Sequence, residues 1–139
     1  CDYVMFTNGE NYYRPGTFEA AAENMKLGYS IIGMNFLTTR RHQIYGGVKM
    51  CQFKHSFVDI GSVFMKVDNI RQLGTTFEEN KLPCPGPEEE LEEQNCLAVD
   101  LRPYWAADWG FIQDLGKRAP NQQKSFICNS DVSAFLVAN

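Results

Sequence analysis

Five cysteines, at positions 1, 51, 84, 96 and 128, lie scattered along a chain of 139 residues, and no two of them form a Cys-x-x-Cys pair. Zinc modules of the finger type bring their ligands in as close pairs, so a structural zinc core is not expected. Well-separated cysteines in a small domain point instead to a disulfide framework, and with it to a secreted, extracellular protein. Because five is odd, at least one thiol is expected to stay free or to bond a partner chain. No signal peptide is recognisable, and Cys1 reads as a processed mature end. A catalytic Cys–His arrangement would need His42 or His55, and neither stands in a nucleophile motif.

The length fits one domain, residues 1–139, large enough to bury a core. Hydrophobic residues at 44% and charged residues at 22% give an ordinary globular balance. No apolar run approaches the roughly 18 residues that cross a bilayer, so no membrane span is expected. The net charge is −4 and the basic residues are scattered, which leaves no electrostatic footprint for nucleic acid. Acidic charge is concentrated instead: Glu88, Glu89, Glu90, Glu92 and Glu93 follow directly on Pro83-Cys84-Pro85-Gly86-Pro87. Such a run reads first as a solvated loop or helix face, with a site for a cation or basic partner as the functional alternative.

Local patterning predicts an α+β domain. Tyr3–Phe6 and Asn11–Tyr13 read as two strands of a hairpin around Asn8-Gly9, closed by Pro15-Gly16. Thr17 is the expected N-cap of a helix in which Phe18, Ala21, Ala22 and Met25 share one face, with Gly28 as its stop. Ser30–Met34 reads as a short buried strand, and Thr38 or Thr39 as the cap of a second helix through Ile44. Phe57–Ile60, Val63–Val67, Leu73–Phe77 and Cys96–Val99 read as strands, with Lys124–Cys128 closing the domain. The polar, proline-broken stretch from Glu78 to Asn95 is expected to be a long irregular loop.

This order of elements, and several local words in it, resemble the C-type lectin domain over nearly the whole chain. The family's aromatic-x-x-Ala-x-x-x-Cys helix reads here as Phe18–Met25, with Met25 in the cysteine place. Gly28-Tyr29-Ser30-Ile31-Ile32 is similar to its turn and buried strand, and Asp59-Ile60-Gly61-Ser62 loosely to its Trp-Ile-Gly-Leu core word. Gly74-Thr75 is similar to the turn that follows, Cys96–Val99 to the strand opening on its second cysteine, and Ser125–Cys128 to its closing Phe-Ile-Cys strand. The resemblance implies a C-type-lectin-like fold with two helices, short antiparallel sheets and a long irregular loop.

The departures bear on function. Sugar-binding members hold Ca²⁺ with a Glu-Pro-Asn or Gln-Pro-Asp loop, an acidic residue near the second cysteine and a Trp-Asn-Asp strand, and vicinal sugar hydroxyls complete the oxygen shell. Here the loop tripeptide falls on Gly86-Pro87-Glu88, the acidic position on Gln94 and the strand on Trp105-Ala106-Ala107. Methyl groups do not coordinate calcium, so no cofactor is expected; weak Ca²⁺ binding by a rearranged site on the Glu88–Glu93 loop is the alternative. The family's third cysteine falls near Gly110, so Cys96 and Cys128 have both lost the partners that the resemblance implies. Cys84 then becomes a candidate partner for Cys96, and Cys51 or Cys1 for Cys128.

The expected function is that of a secreted, non-catalytic recognition module binding a protein or an unconventional glycan, with Glu88, Glu89, Glu90, Glu92, Glu93, Tyr104 and Trp109 as ligand-binding candidates. Trp and Tyr suit such a role because they anchor interfaces and stack on sugar faces. Calcium-dependent sugar recognition through the acidic loop is the second reading. Catalysis is not expected, since no Ser-His-Asp, HExxH or phosphate-loop pattern occurs.

Overall fold

All four residues of one strand, β3 (Ile31–Met34), are buried, and the elements described below are arranged around it. The computed structural model describes residues 1–7, 11–38, 47–54, 57–74, 107–129 and 136–138. In chain order these form β1 (Tyr3–Val4), β2 (Asn11–Tyr13), helix α1 (Thr17–Lys26), β3, β4 (Phe36–Thr38) and β5 (Gly47–Lys49). There follow a 3-10 turn (Ile60–Ser62), β6 (Val63–Lys66), α2 (Val67–Leu73), α3 (Ala107–Lys117), β7 (Phe126–Asn129) and β8 (Leu136–Ala138).

The strands make two four-stranded sheets, ordered β1-β6-β3-β7 and β2-β8-β4-β5. Strand β3 pairs antiparallel with β6 and parallel with β7, Ile32 lying opposite Phe64 on one side and Ile127 on the other. The chain then crosses into the second sheet at the buried Asn35, whose Oδ1 accepts the backbone N–H of Cys51 at 2.8 Å. There β4 runs parallel to β8 and antiparallel to β5.

Side-chain alternation explains the unbroken apolar run of β3. Successive residues of a strand point to opposite faces, and here helices cover both. Ile31, Val63 and Met65 face α2 and α3, where they join Phe111, Ile112 and Leu115. Ile32, Met34 and Phe64 face α1, where they meet Ala21 with Met5 and Met25 beside it. Gly33 belongs to the first face, and its missing side chain leaves room for the Cys51 sulfur and the Phe126 ring. The disulfide Cys51–Cys128 passes there, tying the segment after β5 to β7. Of the two partners considered for Cys128, Cys51 is the one found; Cys1 carries a free, exposed thiol. Cys84 and Cys96 lie outside the described residues.

Several local expectations are corrected. Gly16, in the left-handed region at φ 88°, holds the N-cap position of α1, and Thr17 is its first residue, buried rather than capping. Helix α1 does stop as expected, with Gly28 at φ 78°. Strands β1 and β2 do not form a hairpin: β1 pairs with β6 and β2 with β8, so they enter different sheets. Long-range pairing outweighs the local turn signal there. Thr38 ends β4, and residues 39–46, where a second helix was expected, lie outside the described residues.

Phe57 and Val58 are irregular, and Asp59 caps the 3-10 turn through a reciprocal pair of bonds with Ser62. The strand expected over Val63–Val67 is found as β6, but Val67 opens helix α2, which Gly74 ends at φ 60°. Among the described residues there are three helices rather than two, and both sheets are mixed rather than antiparallel. Helix α3 begins at Ala107, where the resemblance implied a strand. Its C-terminus is held by Gln122, whose Nε2 donates to the carbonyls of Lys117 and Ala119 at 2.9 and 2.8 Å. Arg118 ties α3 to α2, donating to the Leu73 carbonyl at 3.1 Å and pairing with Asp114 at 2.9 Å.

Candidate functional site

An open cleft of about 560 Å³ lies between α1 and the first sheet. Helix α1 supplies Phe18, Met25 and Lys26, which the i, i+7, i+8 spacing brings to one side. Strand β1 and the residues flanking it supply Cys1, Asp2, Tyr3 and Met5, and β6 supplies Phe64.

The wall is aromatic and the floor apolar. Phe18 is 52% exposed although the helical periodicity puts it on the core face with Ala21, which is fully buried. Its ring stands 5.5 Å from that of Tyr13 and edge-on to Phe64 at 5.9 Å, so it is braced on two sides while its outer face stays open. Such ring pairs add about 0.5–1.5 kcal/mol beyond area burial, which fixes the wall before any ligand arrives. Tyr3 is held in place by its hydroxyl, which donates to the Tyr29 carbonyl at 2.5 Å. Burial, and secondarily the Asp2 carboxylate, push the Tyr3 phenol above its ordinary value, so it is neutral at physiological pH.

At the rim, Lys26 pairs with Glu23 at 2.6 Å, and both side chains are largely exposed, so the pair contributes little to stability. The Cys1 thiol donates to the Tyr3 carbonyl at 2.7 Å. Chemically this arrangement suits holding an apolar or aromatic group against Phe18, Met5 and Met25, with a few polar groups at the edge to orient it.

Of the ligand-binding candidates, Glu88, Glu89, Glu90, Glu92, Glu93 and Tyr104 lie outside the described residues. Trp109 is the one candidate among the described residues. It sits in the first turn of α3, half-buried against the core, with its ring 5.4 Å from that of Phe53. Phe53 in turn rests on Gly116, where a Cβ would come within 2.5 Å of the ring, so Trp109, Phe53 and Gly116 form one packing unit.

Sequence reasoning missed the cleft. Phe18 and Met25 were visible as a pair on one face of α1, but whether such a face is roofed depends on what the rest of the chain places over it. Among the described residues no three His, Cys, Asp or Glu side chains converge as metal ligands would. Among them, too, no helix is long and apolar enough to cross a membrane. Comparison with known proteins returned no family model, no curated protein and no solved structure that matches the chain.

Proposed function

We propose that the chain is a secreted, non-catalytic recognition module of the C-type-lectin-like kind, which binds a protein or an unconventional glycan without the family's usual calcium site. The braced yet open ring of Phe18 at the cleft carries this reading. An aromatic side chain that is rigid and half-exposed above an apolar floor loses little entropy on binding and presents both a stacking face and an interface anchor.

Support for the scaffold comes from the words of the resemblance that the described residues cover. Phe18–Met25 is helical, Ile31 and Ile32 belong to a buried strand, and Phe126–Cys128 form a strand beside it. Support for calcium independence is chemical, since Ala106 and Ala107 stand where the resemblance needs oxygen ligands.

The test is retention of the immobilised chain's ligands from arrays of extracellular proteins and glycans, with Ca²⁺ and with EDTA, using the wild type and Phe18→Asp. Binding that persists in EDTA and is lost in the variant is the expected result. Ligands retained only with Ca²⁺, or equally by Phe18→Asp, refute the reading.

A further inference from the structure

The outer strand of the second sheet, β5, has its hydrogen-bonding partner β4 on one side only, and among the described residues no strand pairs with its other side. Unpaired strand edges are templates for another chain unless something blunts them. Here that edge carries apolar and basic side chains. Val48 on β5 and Met50 just beyond its end are 48% and 51% exposed. Lys49 lies on the other face from Val48, opposite the buried Phe36.

A second cation joins it there. The Lys49 and Lys54 ammonium groups stand 5.7 and 5.4 Å from the centroid of one ring, that of Phe57. Two like charges gathered on a single ring repel one another, and among the described residues neither has a carboxylate partner. In a chain of net charge −4 this is a local concentration of the opposite sign.

We infer that the outer edge of β5, which no strand among the described residues pairs with, is a docking site for an extended acidic peptide, which adds a strand to the second sheet. Main-chain pairing along Gly47–Lys49 supplies the common part of the affinity, and side-chain alternation supplies the selectivity. The carboxylates of the added strand lie on the Lys49 and Lys54 face, and its alternate apolar residues lie over Val48, towards Met50. An acidic glycan would meet the same lysines but would leave the backbone edge and the two apolar side chains unused, so the observations favour a peptide.

A capped seven-residue peptide of alternating Glu and Val serves as the probe, titrated calorimetrically into the full chain. Binding should weaken by roughly tenfold in Lys49→Glu/Lys54→Glu, since two exposed charge pairs change sign. That variant should instead take up the corresponding Lys/Val peptide, a gain that a misfolded protein would not show. A Glu/Pro peptide, which keeps the charge but loses the backbone donor at every second residue and resists continuous strand pairing, should bind several-fold more weakly than the Glu/Val peptide. Equal binding of the Glu/Pro and Glu/Val peptides would reduce the site to two lysines and overturn the inference. So would binding that survives the charge reversal, no heat at millimolar peptide, or a dimer of the chain through this edge that the peptide fails to dissociate.

Discussion

Replacing Gly33 by alanine probes whether the disulfide and the core share one packing site. An alanine methyl at this position would overlap the Cys51 sulfur and stand 2.9 Å from Cζ of Phe126, closer than real Cβ contacts come. In an unobstructed strand the same change would stabilise the protein by about 0.4–1 kcal/mol, because alanine restricts the unfolded chain. Overpacking a core costs about 1–3 kcal/mol, and the upper end applies where the obstacles are a covalently tethered sulfur and a packed ring. The net expectation is a loss of about 2 kcal/mol, or a Tm lower by about 6–8 °C for a chain of this size.

The decisive measurement is a double-mutant cycle in urea. With Cys51→Ala/Cys128→Ala as background the sulfur is gone and only the ring obstructs the methyl, so the cost of Gly33→Ala should fall by at least about 1 kcal/mol. Equal m-values would show that the unfolded states are comparable. A cost below about 0.5 kcal/mol in the native background, or the same cost with and without the sulfur, would refute the shared packing site.

Two further outcomes follow from the geometry. The Cys51–Cys128 bond closes a loop of 77 residues, so the chain-entropy estimate puts its contribution at roughly 4–5 kcal/mol. Denaturant melts should register most of that loss in Cys51→Ala/Cys128→Ala, while Cys1→Ser, at an exposed free thiol, should shift stability by less than about 0.5 kcal/mol. The Tyr3 phenol ionises above its ordinary 10.0 when folded, so the native state holds this proton more tightly than the unfolded chain does. The stability it contributes is complete below pH 10.0 and is lost as pH rises through the higher folded value; alkaline unfolding of Tyr3→Phe should lack that component, and identical pH profiles for the two proteins would count against it.

Helix α1 was legible in the sequence because its signals are local: an Ala-rich stretch, apolar residues at helical spacing and a glycine stop at Gly28. Strands β3 and β7 were legible for a similar reason, being short runs rich in Ile and Phe. Helix α3 was hidden by Gly110 and Gly116, each costly in a helix, although Phe111, Ile112, Leu115 and Ala119 recur at helical spacing and are all buried. Helix α2 has seven residues and opens on the β-branched Val67, so it reads as the tail of β6 until Ile70 and Leu73 are seen against the core. Of the ligand candidates, Trp109 alone lies among the described residues, on α3 with its ring 5.4 Å from that of Phe53, a neighbour that only the tertiary structure supplies.

By itself the sequence determined the mixed α+β class, the helical and strand character of its most strongly patterned segments, and the need for a disulfide. These rest on period, propensity and redox chemistry, which neighbouring residues alone express. The tertiary structure decided which cysteine meets Cys128, why residue 33 is a glycine, and that β3 and β4 each pair in parallel with a strand far along the chain. It also decided that Phe18 stays open while Ala21, on the same helical face, is sealed. Each of these depends on which distant segment arrives alongside, and strand order and burial are properties of that meeting rather than of any local stretch.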